Sequence, residues 1–250
     1  MPPVSVLKTI AHLRTVDVND NRFGDPFFEA AAAWINLRSL NVNADNDRID
    51  PHARFLPAFL TKMTALTELR MGGLAAKFQV AFTAELPTQL QVLQLSDKST
   101  NLLTTFSEVL SRMTDLRHLE LMWETTESFA ALAPALLHCP HLTFLKMYVS
   151  TFDEDKMGFL LTRLTQLQVL HLPQCQLNDD QVARLVGLLR HHTLLRSLAM
   201  AGNVVGHKTM QALVDWPQLV HLEEVYLDFH DHDIDVTALE EVVQQSHSLL

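Results

Sequence analysis

Residues Leu116 to Leu121 read LRHLEL, and the same apolar-x-x-apolar-x-apolar pattern returns at Leu142 as LTFLKM, 26 residues on. Working outward, the pattern also opens at Leu13 (LRTVDV), Leu37 (LRSLNV), Leu66 (LTELRM) and Leu90 (LQVLQL), then at Leu167 (LQVLHL), Leu195 (LRSLAM) and Leu222 (LEEVYL). Successive steps between the nine starts are 24, 29, 24, 26, 26, 25, 28 and 27 residues. Alternate apolar positions over six residues describe a short strand with one buried face, and a near-constant period describes an array of stacked units. One more step of 27 lands on Leu249, so SHSLL opens a tenth unit that is not completed.

Between the strands the apolar spacing becomes helical. Phe106, Val109, Leu110 and Met113 form one such face; Leu185, Leu188 and Leu189 form a second, and Leu239, Val242 and Val243 a third. The residue three before the first leucine is also mostly apolar, as at Ile10, Trp34, Met63, Met113, Cys139, Leu164 and Leu219. Each unit is therefore a strand, a turn and a helix, with strand leucines and helix faces meeting in one core.

These residues resemble the leucine-rich repeat family, whose pattern is L-x-x-L-x-L-x-x-N/C. At the last position of that pattern stand Asn21, Ser150, Cys175 and Asn203, which can bond the backbone of a neighbouring turn. Asp45, Lys98, Glu124 and His230 fit it less well, and Leu74 not at all. Steps of this length with helical outer segments are similar to the ribonuclease-inhibitor-like subclass. The resemblance implies an α/β solenoid, a curved horseshoe with a parallel β-sheet on its concave face and helices on its convex face. Residues 1–250 are expected to form a single domain of about nine repeats plus the incomplete tenth. The array is either a piece of a longer one or is capped by its own last helix.

Composition narrows the function classes. Among 250 residues, 19 Lys and Arg stand against 29 Asp and Glu, a formal charge of −10, which disfavours a phosphate-backbone binder. Two cysteines are too few for a disulfide framework, and 48% apolar content suffices for a core. The longest apolar runs fall well short of a membrane helix, and MPPVSVLKTIAHL lacks the apolar centre of a secretory signal. An intracellular protein, cytoplasmic or nuclear, is expected.

Motifs for catalysis or ligand binding are weak. AGNVVGHKT, residues 201–209, has Gly202 and Gly206 three residues apart with His207 before Lys208, whereas a phosphate-binding loop needs four and an immediate Lys. Its residues match the repeat pattern instead, with Asn203 at the ladder position. In DFHDHDID the side chains of Asp228, Asp231, His230 and His232 form a weak candidate metal set on a surface loop. Cys139 and Cys175 occupy a core column and the ladder, so neither reads as a nucleophile, and no G-x-S-x-G elbow occurs. Some members of the resembled subclass activate GTPases with a loop arginine, for which Arg22, Arg48 and Arg70 are the available positions. No enzyme activity, cofactor, nucleic acid, membrane or small-molecule substrate is expected.

The concave face remains. Residues between and beside the strand leucines face outward: small and polar in the first two repeats, small and then acidic in the last two. Repeats five to seven instead place Glu120, Met122, Trp123, Phe144, Lys146, Tyr148, Val169 and His171 there, residue types that dominate interface energetics. Glu120, Glu124, Glu127, Asp153, Glu154 and Asp155 are expected to rim them. The implied function is a protein-interaction module whose partner carries an apolar anchor flanked by basic residues. The resemblance adds the recognition part of a ubiquitin-ligase receptor or a sensor as one setting. The alternatives are a GTPase-activating-type regulator and a metal-dependent activity at loop 228–235.

Overall fold

A computed structural model of the chain describes residues 10, 12–19, 25–43, 55–72, 85–97, 103–123, 132–148, 154–216, 219 and 221–228. Its nine strands follow the sequence pattern repeat by repeat: β1 (Thr15–Asp17), β2 (Ser39–Asn43), β3 (Glu68–Gly72), β4 (Val92–Asp97), β5 (His118–Trp123), β6 (Phe144–Tyr148), β7 (Val169–His171), β8 (Ser197–Ala199) and β9 (Glu224–Tyr226). They form one sheet in chain order, every pair parallel. Helices lie between them: α1 (Asp25–Ala31), α2 (Phe55–Leu60), α3 (Leu103–Leu110), α4 (Ala133–Leu136), α5 (Glu154–Leu161), α6 (Asp179–Leu188) and α7 (His207–Val214).

Two backbone devices set the register. One is a turn closing on the first leucine of the pattern: the N–H of Leu116 donates to Met113, that of Leu142 to Cys139 and that of Leu195 to His192, at 3.1, 3.2 and 3.1 Å. This i to i+3 bond is why an apolar column recurs three residues before each leucine. In the other, the carbonyl just after that leucine accepts two N–H groups from the next repeat. Arg117 and His118 donate to Gln91, Thr143 and Phe144 to Arg117, and Gln168 and Val169 to Thr143, all at 2.8 to 3.0 Å. Repeats locked in this way stack without slipping, so equivalent residues fall into columns across the sheet.

The core follows the leucines. Leu40, Leu69, Leu93, Leu119, Leu145, Leu170 and Leu198 are fully buried, as are Trp34, Met63, Met113, Cys139 and Leu164 of the turn column. Phe106, Val109 and Leu110 of α3 pack against them. On α6 the expected face of Leu185, Leu188 and Leu189 needs correction. Val182, Leu185, Val186 and Leu189 are buried, whereas Leu188 is 38% exposed, because a 100° step per residue carries it off that stripe. The third face, Leu239, Val242 and Val243, lies outside the described residues.

The ladder is formed where it is described. Asn203 is buried, its Oδ1 accepting from the Leu177 N–H at 3.1 Å and its Nδ2 donating to the carbonyls of Leu172 and Met200, both at 2.8 Å. The Cys175 thiol donates to the carbonyls of Met147 and Pro173, both at 3.5 Å. Asn21, Asp45, Leu74, Lys98, Glu124, Ser150 and His230 lie outside the described residues.

One core position breaks the pattern. His192 takes the turn column that is apolar in neighbouring repeats; it is 3% exposed, and neither ring nitrogen has a hydrogen-bond partner. Burial pushes its pKa below the usual imidazole value; the Leu161 and Leu164 carbonyls lie close enough to oppose this in part, but neither meets full hydrogen-bond geometry with the ring.

Candidate partner-binding face

Register places the outward side chains in two columns. One runs Val92, His118, Phe144, Val169, Ser197, Glu224; the other runs Gln94, Glu120, Lys146, His171, Ala199, Tyr226. Five of the eight residues singled out from the sequence lie in these columns on β5 to β7, namely Glu120, Phe144, Lys146, Val169 and His171, and Met122 and Tyr148 pair with each other one step further along. Trp123 ends β5, but its side chain lies outside the described part.

Phe144 is the centre of this surface. The His118 ring stacks on it with centroids 3.8 Å apart and planes 8° from parallel, and the His171 ring meets it edge-on at 5.7 Å. Met122, Phe144, Tyr148 and Val169 are all half-buried, since strand neighbours about 5 Å away cover their flanks. The result is a rigid aromatic ridge rather than a set of free rings.

The expected acidic rim is corrected in two places. Glu120 is buried, because the Lys146 Nζ reaches its Oε1 at 2.7 Å and the His118 Nε2 lies 4.0 Å from its Oε2. Burial alone would raise its pKa, yet the hydrogen bonds and charge of His118 and Lys146 bring it below the usual carboxylate value. Asp155 stands on α5, where it lines a groove on the helical side. Glu124, Glu127 and Asp153 lie outside the described residues, as does the side chain of Glu154. Other acidic side chains described on this face stand at its two ends: Asp17 and Glu68 on the first strands, and the exposed Glu224 and Asp228 at the last.

A further chain of contacts joins the ridge to that acidic end. The Ser197 hydroxyl donates to Glu224 Oε2 at 3.0 Å and lies 2.9 Å from His171 Nε2. A nucleophilic triad puts the imidazole between hydroxyl and carboxylate so that the ring can take the hydroxyl proton. Here the hydroxyl lies in the middle with its proton directed to Glu224, so His171 donates to it. Burial, and then the charge of Lys146, hold His171 below the ordinary imidazole pKa.

Other sequence candidates resolve as follows. Asp179 from α6 fills the start of α7: its Oδ1 accepts the N–H groups of Gly206 and Thr209 and the Thr209 hydroxyl at 2.8, 3.0 and 2.7 Å, and its Oδ2 accepts the Lys208 N–H at 3.0 Å. The amides of AGNVVGHKT that could cradle a phosphate therefore already hold a carboxylate. A Cβ at Gly206 would lie 2.8 Å from that carboxylate, which explains the glycine. Asp228 Oδ2 accepts the Gly202 N–H at 2.8 Å; Asp231, His230 and His232 lie outside the described residues. No group of three metal-ligating side chains occurs among the described residues. Arg70 is bonded to Glu68 at 3.3 Å, and Arg22 and Arg48 lie outside the described residues. Cys139 is fully buried and its thiol pKa is pushed up to about 12 by burial. Among the described residues no helix is long and apolar enough to cross a membrane.

No family model and no curated protein matches the chain. Among solved structures it is similar to an internalin C2 from Listeria monocytogenes strain 4b F2365, with 19% identity and a TM-score of 0.56, over 90% of this chain and 84% of that one. Together with the nine-stranded parallel sheet, the likeness establishes the leucine-rich repeat fold. It does not distinguish the ribonuclease-inhibitor-like subclass from others.

Proposed function

We propose that this leucine-rich repeat solenoid is a non-enzymatic protein-interaction module whose partner docks on the concave ridge of repeats five to seven. The observation that carries the reading is the Phe144 ridge, an aromatic ring held between His118 and His171 with Met122, Tyr148 and Val169 beside it. A preordered apolar surface loses little conformational entropy on binding, and aromatic anchors are the common hot spots of interfaces. The salt-bridged Glu120 and Lys146 contribute orientation more than charge, since each neutralises the other. Beyond them, Glu224, Asp228 and a formal chain charge of −10 favour a partner with basic residues around its apolar anchor. The module would serve as the recognition part of a larger assembly, such as a ubiquitin-ligase receptor or a sensor. The GTPase-activating and metal readings have less to rest on, because Arg70 is held by Glu68 and Asp228 by Gly202.

The test is affinity capture from lysate using the chain and a Trp123→Ala, Tyr148→Ala form matched by circular dichroism. Proteins held by the first and released by the second support the reading. Identical captured sets refute it.

A further inference from the structure

On the opposite, helical side, we propose a second docking surface: the groove between α5 and α6 receives an acidic amphipathic helix of a partner protein. The groove encloses about 570 Å³. Two of the large apolar side chains exposed among the described residues line it together, Phe159 at 53% and Leu188 at 38%. Exposed apolar groups at adjacent positions on neighbouring helices form a surface that a facing apolar stripe can cover.

Glycine makes the space. Gly158 and Gly187 both line the groove from within their helices, where glycine is the least favourable residue after proline. A Cβ at Gly187 would meet nothing within 4 Å, so packing inside the chain does not call for glycine there. At Gly158 a Cβ would touch only Leu188, at 3.1 Å from its Cδ1. Gly187 has room for a side chain and lacks one, and Gly158 could take one only if the Leu188 side chain shifts; together they leave the floor open.

Charge selects the occupant. In a chain of formal charge −10, the groove lining carries Arg184 and Arg190 against the single carboxylate of Asp155. Arg163 adds a third guanidinium, 5.5 Å above the Phe159 ring. The groove is thus locally positive on an acidic molecule, complementary to carboxylates and repulsive to a basic segment. An amphipathic helix meets both demands, its apolar positions at i, i+4 and i+7 over Phe159 and Leu188 and its Glu or Asp residues towards the arginines.

The probe is a labelled synthetic helix with Leu on one face and Glu elsewhere, followed by fluorescence anisotropy; the control carries Gln in place of Glu. The Glu helix is expected to bind saturably, more weakly as salt rises, and the Gln helix at least about tenfold more weakly. Gly187→Met, which fills the floor, and the exposed-site reversal Arg190→Glu should each weaken binding by about tenfold or more. Methionine is a better helix former than glycine, so an unchanged or raised melting temperature in Gly187→Met separates blockage from unfolding. Tyr148→Ala should leave this binding unchanged, which keeps the test independent of the concave face. Equal binding of the two helices, or full binding by Gly187→Met, overturns the proposal. So does a sedimenting dimer abolished by Gly187→Met, which would make a second copy the occupant.

Discussion

Replacing Asn203 by Ala probes how repeats are coupled. The side chain is 1% exposed and makes three hydrogen bonds, at 3.1, 2.8 and 2.8 Å, to backbone groups of Leu177, Leu172 and Met200. Alanine leaves one N–H and two carbonyls buried without a partner. At about 1–3 kcal/mol for each stranded group, with partial relaxation, we expect a loss of about 3 kcal/mol. That is a large part of the roughly 5–15 kcal/mol available to a domain. Because the bonds tie the turn after β7 to the turn after β8, the urea transition should also broaden as the last repeats melt ahead of the rest. Asn203→Asp should cost at least as much, since a carboxylate cannot donate to the two carbonyls. Asn203→Cys should recover part of the loss, because the Cys175 thiol fills the preceding ladder position by donating to two carbonyls. Equilibrium urea unfolding by circular dichroism measures all three. A loss below about 1 kcal/mol for Asn203→Ala with an unchanged slope would refute the reasoning.

Other consequences are as direct. Asp179→Ala should destabilise the chain by about 1.5–3 kcal/mol, because it removes a charged acceptor from four donors at the start of α7; thermal unfolding reads this. Burial works against the lowered Asp179 pKa, but the Thr209, Lys208 and Gly206 hydrogen bonds outweigh it, so this stabilisation exists above about pH 3.9 and fades as pH falls below it. His192→Leu should stabilise the chain by about 1–3 kcal/mol by replacing a buried imidazole whose ring nitrogens lack well-formed hydrogen bonds. The native pKa of His192 lies below the free value of about 6.5, so the unfolded chain binds the proton first. Wild-type stability is therefore complete above pH 6.5 and declines as pH drops from there towards the native value, a decline that His192→Leu should lessen. A pH series of urea midpoints decides this; identical pH slopes would contradict it. Iodoacetamide should leave Cys139 and Cys175 unmodified in the native protein and label both in urea, as mass spectrometry would register.

The fold was legible because a leucine every two or three residues fixes which way a short strand faces, and a period near 26 fixes its neighbours. The columns on β5 to β7 followed from that alone. What could not be read depended on the third dimension. Glu120 looked like an open-face acid, but register sets Lys146 directly beside it and covers it. Phe144 was visible as an aromatic, whereas its stacking on His118 needs the two strands in contact. Leu188 shares helical spacing with Leu185, but Val182 and Val186 turn the buried stripe of α6 away from it. His192 does leave a signal in the sequence, a polar residue in an otherwise apolar turn column. The groove on the helical side left only a faint trace, one glycine on each of two successive helices.

The concave ridge is the central claim, and the affinity of a captured partner for Phe144→Ala and Tyr148→Ala forms tests it most directly. Titration calorimetry should give about a 30-fold weaker Kd for each, equivalent to about 2 kcal/mol, with Asn41→Ala unchanged as a control at the far end of the sheet. Affinities within about twofold of wild type for both variants would contradict it and move the binding surface elsewhere on the solenoid.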